Sequence, residues 1–201
     1  GYDQVHTCIE VMKASGAGLA TKLALEFVAL TAVRSGEVRG ATWSEFDFGA
    51  EGGANHAIPA NRVTWTISAE RMKMDKEHKV PLSTRAIEIL REAKAISDGS
   101  DLVFPGTKQG KPLSDMTLSK RLKDLGFDVD VHGFRTSFRM WTQEQSSYPR
   151  EIAEIALAHA IKDKSEAAYA RSDYLEKRRA MMQDWADYIA QGSDKIPAVA
   201  T

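Results

Sequence analysis

The stretch RVTWTISAERMKMDKEHKVPL, Arg62 to Leu82, decides how this chain is organised. Two short runs rich in β-branched and aromatic residues, RVTWTIS and HKVPL, flank a polar connection, which is the pattern of a β-hairpin. Trp65 and Ile67 alternate with Thr64 and Thr66, so one face is expected to be buried and the other wetter. Upstream, ANHAIP (54–59) follows the breaker EGG and reads as a further strand, which makes the middle of the chain a small antiparallel meander. Lys73 falls on or beside the connection between the last two strands, among Arg71, Lys76, His78 and Lys79. The plain alternative is a solvated hairpin tip, with Met72 and Met74 as gap-filling core.

Helical spacing occupies both flanks. AGLATKLALEFVALT (17–31) carries Leu23, Phe27, Val28 and Leu30 on a stripe that predicts an amphipathic helix. Ser35 and Gly36 break it, and a short helix from Glu37 to Thr42 follows, placing Arg34 at a helix junction. After Leu82, STRAIEILREAKAI has Ser83 or Thr84 as its N-cap and Ala86, Leu90 and Ala93 at helical spacing. VFPGTKQGKPLS is a turn-rich loop, after which Ser114 is expected to cap DMTLSKRLKDLG and Gly126 to end it. GFRTSFRMWTQEQ, PREIAEIALAH, SEAAYAR and YLEKRRAMMQDWADYIA supply further helices, and the tail 191–201 is expected to fray. The expected class is mainly α with a small antiparallel three-stranded sheet, an α+β arrangement in a single domain over 1–201.

At 201 residues the chain can bury a real core, and 43% hydrophobic with 27% charged residues excludes disorder as its main state. No apolar run approaches the roughly 18–20 residues that cross a bilayer, and GYDQVHTCIEVMK lacks the order of a signal peptide, so a cytoplasmic location is expected. Cys8, the single cysteine, cannot form an internal disulfide, which fits a reducing compartment. There is no CxxC or HExxH zinc signature. A net charge of −1 and a pI near 6.6 give no overall polyelectrolyte signal, so nucleic-acid binding has to rest on local clusters.

VHGFRTSFRMW, Val131 to Trp141, sets His132 and Arg135 three positions apart at the mouth of a predicted helix, a pair suited to an anion. Singly, each polar feature has an ordinary explanation. Arg34 can pair with Glu37 across a turn, His132 can cap a helix, His159 can sit satisfied at a helix C-terminus, and Tyr169 can bury its ring. As an ordered set the residues resemble the catalytic domain of the tyrosine recombinases, the phage integrase family. LTAVRSGEVRGATWSEFD resembles the family's first arginine box, and RMKMDKEHKVPLS is similar to the hairpin bearing its catalytic lysine. HGFRTSF resembles the His-x-x-Arg box, and ALAHAIKDKSEAAYAR the box in which a histidine precedes the nucleophilic tyrosine. YLEKRRAMMQDWADYI resembles the C-terminal helix of integrases carried by prophages and genomic islands.

The resemblance implies a DNA breaking-rejoining fold and site-specific recombination through a covalent 3′-phosphotyrosyl intermediate. Tyr169 is then the nucleophile, with Tyr174 as fallback; Arg34, Arg135 and His159 clamp the phosphate, Lys73 protonates the leaving oxygen, and His132 handles the tyrosine proton. Glu37 orients the first arginine box, and neither metal nor other cofactor is implied. The implied partners are double-stranded DNA attachment sites, a homotetramer on DNA from a domain that is monomeric alone, and accessory DNA-bending factors, with no membrane. Full-length members carry N-terminal core-binding and arm-binding domains that nothing here matches, so a catalytic-domain fragment is expected, with GYDQVHTC near an interdomain linker. Backbone contacts to DNA are expected from Arg71, Lys76, Lys79, Lys108, Lys111, Lys120 and Arg121, together with Lys123. An inactive DNA-binding module of the same fold and a type IB topoisomerase-like activity are the alternatives. The last helix either docks on a neighbouring subunit or packs on its own domain through Leu175, Met181, Trp185 and Ile189.

Overall fold

The computed structural model describes residues 1–48, 62–159 and 174–192. A 3₁₀ turn at Tyr2–Gln4 leads into α1 (Val5–Ala14), then α2 (Leu19–Thr31), α3 (Ser35–Arg39), β1 (Phe46–Asp47), β2 (Thr64–Ile67) and β3 (His78–Pro81). Helices α4 (Thr84–Ala95), α5 (Thr117–Asp124), α6 (Gly133–Glu144), α7 (Arg150–Ala156) and α8 (Leu175–Gln191) complete the order. The expected mainly helical architecture with one small antiparallel sheet is what the chain adopts, in the strand order β1-β2-β3. No helix among the described residues is long and apolar enough to cross a membrane.

Helix α2 is the axis of the core. Its spacing predicts a one-sided helix, yet Thr21 and every residue from Leu23 to Thr31 are buried, because α1, α3, α4, α5, α6 and α8 all pack on it. A helix enclosed on all sides reads as apolar nearly all round. Its one carboxylate, Glu26, is buried and offset by Arg85 Nε at 2.8 Å, Arg85 Nη2 at 3.0 Å and Lys13 Nζ at 3.1 Å, which ties α1 and α4 to α2. Helix α1 was not foreseen. Val5, Cys8, Ile9 and Met12 recur at i, i+3, i+4 and i+7 and are all buried, so the segment is a core helix.

The hairpin forms as its alternation predicts, with Trp65 and Ile67 buried and Ile67 paired with His78, Thr64 with Pro81. Its other neighbour is Phe46–Asp47, in register with Trp65 and Thr64; ANHAIP lies outside the described residues. Phe27 of α2 meets Phe46, Trp65 and Phe104 with ring centroids 5.4–6.4 Å apart, an aromatic knot that seats the sheet on α2. Met72 is buried as gap filler, whereas Met74 is 58% exposed, because the chain turns outward between them and Asp75 takes a left-handed φ of 48°. Helix α3 spans 35–39 rather than 37–42, since Glu37 closes onto the Arg34 N–H and starts the helix at Ser35. Ser83 caps α4 by accepting from Ala86 N–H, while Ser114 shares a hydrogen bond with the Thr117 hydroxyl and α5 begins only at Thr117.

Helix α8 packs on its own domain: Met181, Trp185 and Ile189 are buried and Trp185 Nε1 donates to the Ala29 carbonyl at 2.8 Å. Arg178 and Arg179 reach the carbonyls of Lys79 and Val63, bracing the hairpin from the α8 side. Residues 193–201 of the tail lie outside the described residues.

His78 stands in a charged stretch but is buried, and its Nε2–H donates to the Ala156 carbonyl at 3.2 Å, joining β3 to the end of α7. Burial first, and then the Arg178 guanidinium, pulls its pKa down to about 4. An unfolded chain takes up this proton near pH ~6.5. The neutral ring therefore contributes stability that is fully present above about pH 6.5 and is lost as the pH falls from there to about 4. Urea unfolding across this window is expected to show a decline of up to about 3 kcal/mol, and His78→Gln should flatten the slope.

Candidate active site

A cleft of about 560 Å³ opens where α3, the hairpin connection and the start of α6 meet, lined among others by Arg34, Glu37, Arg71, Lys73, His132 and Arg135. Four of the six residues singled out from the sequence thus face one space. His159 adjoins them through Arg135; Tyr169 lies outside the described residues. The fallback Tyr174 is half-buried at the start of α8, with a left-handed φ of 48°, and is not among the residues lining the cleft.

Arg135 is the buried member. Its guanidinium donates from Nη1 to the Ala32 carbonyl at 2.7 Å and from Nη2 to the Leu157 carbonyl at 2.6 Å. These oxygens belong to the residues that close α2 and α7, where helix carbonyls lack partners within the helix and the macrodipole is negative. Two left-handed alanines aim the chain here, Ala32 at φ 52° and Ala158 at φ 50°. An L-residue pays about 1–2 kcal/mol for that conformation, so the surrounding contacts must hold it. Burial first, and the neighbouring Arg34 charge second, bring the Arg135 pKa down to about 10, which leaves it cationic at neutral pH.

Arg34 enters from the N-terminus of α3, where Glu37 Oε2 accepts from its backbone N–H at 2.8 Å and Glu37 Oε1 from its Nη1 at 2.9 Å. One buried carboxylate therefore fixes both the turn and the guanidinium it presents. Arg71, expected to contact DNA, lines the cleft and is held there from within: it pairs with Glu45 and donates from Nη2 to the Glu37 carbonyl at 2.6 Å. This approach needs Gly40, since a Cβ there would lie 2.9 Å from Arg71 Nη2. Glu45 also accepts from Trp65 Nε1 at 2.9 Å and from the Thr42 N–H at 3.2 Å, so it pins the base of the hairpin.

Lys73 is exposed on that hairpin and has no carboxylate partner among the described residues. His132 precedes α6, but Asp130 Oδ1, not its ring, accepts from the Gly133 N–H at 3.1 Å, leaving the imidazole to the cleft. Past α7, the Ala158 N–H bonds to the Ile155 carbonyl and the His159 N–H to the Glu154 carbonyl, the closing motif that turns His159 back toward Arg135. The cleft thus offers several cationic or ring N–H groups around one volume, which suits a tetrahedral oxyanion. Lys76, Lys79, Lys108, Lys111, Lys120 and Lys123 are exposed and Arg121 half-buried, all outside the cleft lining.

The phage integrase family model matches residues 2–176. The chain belongs to the phage integrase family. It is 36% identical over 190 residues to prophage integrase IntA of Escherichia coli (strain K12), covering 93% of this chain and 43% of that protein. To the integrase of Enterobacteria phage P4 it is 35% identical over 193 residues, covering 87% of this chain and 41% of that one. The chain therefore spans about two fifths of the length of these curated relatives. Among solved structures, the lambda integrase catalytic core superposes with a TM-score of 0.54 at 19% identity, covering 81% of this chain and 90% of that one. XerH site-specific recombinase bound to its difH substrate gives 0.58 at 18% identity, over 85% and 52% of the two chains. The fold is that of the tyrosine recombinase catalytic domains.

Three features had no signal a sequence pattern could isolate. The carbonyls that hold Arg135 carry no side-chain identity, Glu45 is one glutamate in a motif, and Glu154 precedes His159 by five residues on a helix rich in charge. Replacing Arg135 by Met would strand two buried carbonyls at about 1–3 kcal/mol each. Chemical unfolding of the Arg135→Met protein is expected to show a loss of roughly 2–6 kcal/mol against the parent.

Proposed function

We propose that this chain is the strand-cleaving unit of a site-specific DNA recombinase that integrates or excises a mobile element. The observation that carries this reading is the convergence of Arg34, Lys73, His132 and Arg135 on one cleft, with His159 bonded to Arg135 beside it. In the proposed reaction the Tyr169 phenol attacks a DNA phosphorus in line, forming a phosphotyrosyl bond to the 3′ side and expelling the 5′ sugar oxygen. His132 takes the phenol proton and Lys73 gives a proton to the departing oxygen. Arg34, Arg135 and His159 donate to the non-bridging oxygens, whose charge grows in the transition state. The carbonyl clamp on Arg135 and the Glu37 tether on Arg34 support this role, because donors set in place before the substrate arrives need not be reorganised. The covalent bond stores the energy of the broken one, so attack by a 5′ hydroxyl of the exchanged strand rejoins the DNA.

Recombining two duplexes requires four strand cuts, so the proposed assembly is a homotetramer on paired attachment sites, aided by DNA-bending proteins, in the bacterial cytoplasm. The exposed lysines 76, 79, 108, 111 and 120, together with Arg121, are proposed to follow the DNA backbone and to make affinity salt-sensitive.

On a nicked duplex carrying the element's end junction, the full-length protein is expected to form a covalent protein–DNA adduct that survives denaturant, and Tyr169→Phe is expected to abolish it. An undiminished adduct in Tyr169→Phe protein would move the nucleophile elsewhere. Lys73→Ala is expected to slow cleavage roughly 10²- to 10⁴-fold. A substrate with sulfur at the 5′-bridging position should restore most of that rate, because a thiolate leaves without a proton.

A further inference from the structure

His159 is held from two sides. Arg135 Nη2 lies 3.2 Å from its Nε2, and Glu154 Oε2 lies 2.6 Å from its Nδ1. A guanidinium has no acceptor, so the Arg135 contact requires a lone pair on Nε2 and places the ring proton on Nδ1, donated to Glu154. A ring in that state has no hydrogen on Nε2 to offer a phosphate; it acquires one only by taking a second proton. The cation so formed lies beside Arg135 and against the Glu154 carboxylate.

Glu154 is itself anchored for this task. Arg139 Nη2 from α6 sits 2.9 Å from its Oε1 and Arg150 Nε from α7 at 3.7 Å. Partial burial pushes its carboxyl up, but the His159 hydrogen bond, followed by the Arg139 and Arg150 guanidinium groups, together hold it below the usual range, hence ionised. A second cleft of about 290 Å³, lined by Arg139, Tyr148, Arg150 and Glu154, lies behind it, so Glu154 forms the wall between that space and His159. Among the described residues, the charged groups facing the His159 ring are thus Arg135 from α6 and Glu154 from α7, with Arg139 and Arg150 behind the carboxylate.

We infer that Glu154 is a positioning residue for the strand-cleavage reaction: it fixes the His159 tautomer and compensates the imidazolium that donates from Nε2 to the scissile phosphate. The inference rests on the proposed function for its chemistry and on the Arg135–His159–Glu154 chain for its geometry. With Glu154 ionised, an incoming phosphate replaces the Arg135 contact at Nε2, while the Nδ1 bond stays in place and keeps the ring aimed.

The test is a double-mutant cycle with Glu154→Gln and His159→Ala in the full-length protein, reading single-turnover cleavage of the nicked site alongside DNA affinity and thermal melting. Glu154→Gln is expected to slow cleavage about 10- to 100-fold, the worth of a hydrogen bond to a charged group, with affinity and melting temperature unchanged. In the His159→Ala background the same substitution is expected to change the rate less than about twofold. An equal loss in both backgrounds would show a purely structural role and overturn the inference. Should no variant, nor the parent, form an adduct, the proposed function fails, and ¹⁵N spectra of the His159 ring then decide. A ring protonated at Nδ1, with a downfield proton resonance that moves upfield in Glu154→Gln, upholds the pairing. A neutral ring protonated at Nε2 overturns it.

Discussion

A guanidinium buried between the ends of two helices governs this structure. Arg135 is one of the few charged side chains almost fully enclosed among the described residues, and the cost of dehydrating it is met by the carbonyls of Ala32 and Leu157, where the dipoles of α2 and α7 converge. Two residues beyond Ala32 comes Arg34, and two residues beyond Leu157 comes His159. The same contact that neutralises the buried charge therefore decides where both neighbouring side chains emerge. Sequence-distant parts of the chain are brought within reach of one another by backbone oxygen rather than by side-chain complementarity.

This explains what could and could not be read from the sequence. The hairpin was legible because alternation at Thr64–Ile67 is a local signal, and the His132–Arg135 pair was legible because it opens an amphipathic helix. The first arginine box announced itself through Arg34 and Glu37, which are close in sequence and in fact bonded. What the sequence does not show of Arg71 is its anchorage: Glu45, remote in sequence, and the Glu37 carbonyl fix it in the wall of the cleft. The fully buried character of α2 was hidden for the same reason, because enclosure depends on how many other helices arrive, not on the helix's own spacing. The partnership of His159 and Glu154 depends on the left-handed turn at Ala158, a conformation that alanine does not advertise.

Charge is distributed so that a nearly neutral chain still carries a cationic cleft. Arg34 and Arg71 are each matched by a carboxylate, Glu37 and Glu45, which orients them while cancelling much of their far field. Arg135 is held by two backbone carbonyls and the His159 ring, with no carboxylate in an ion pair with it among the described residues. Lys73 is likewise without a carboxylate partner among the described residues. Total charge is thus a poor guide to such a surface, since what matters is which cations keep their field and where they stand.

The bond from His78 to the Ala156 carbonyl links the root of the lysine-bearing hairpin to the last turn of α7, one residue before the carbonyl that grips Arg135. Arg178 fastens the adjacent Lys79 carbonyl to α8. The root of the hairpin therefore shares its anchor with the guanidinium of the cleft: a shift of β3 would have to drag the end of α7 with it, whereas the exposed connection around Lys73 stands outside these bonds.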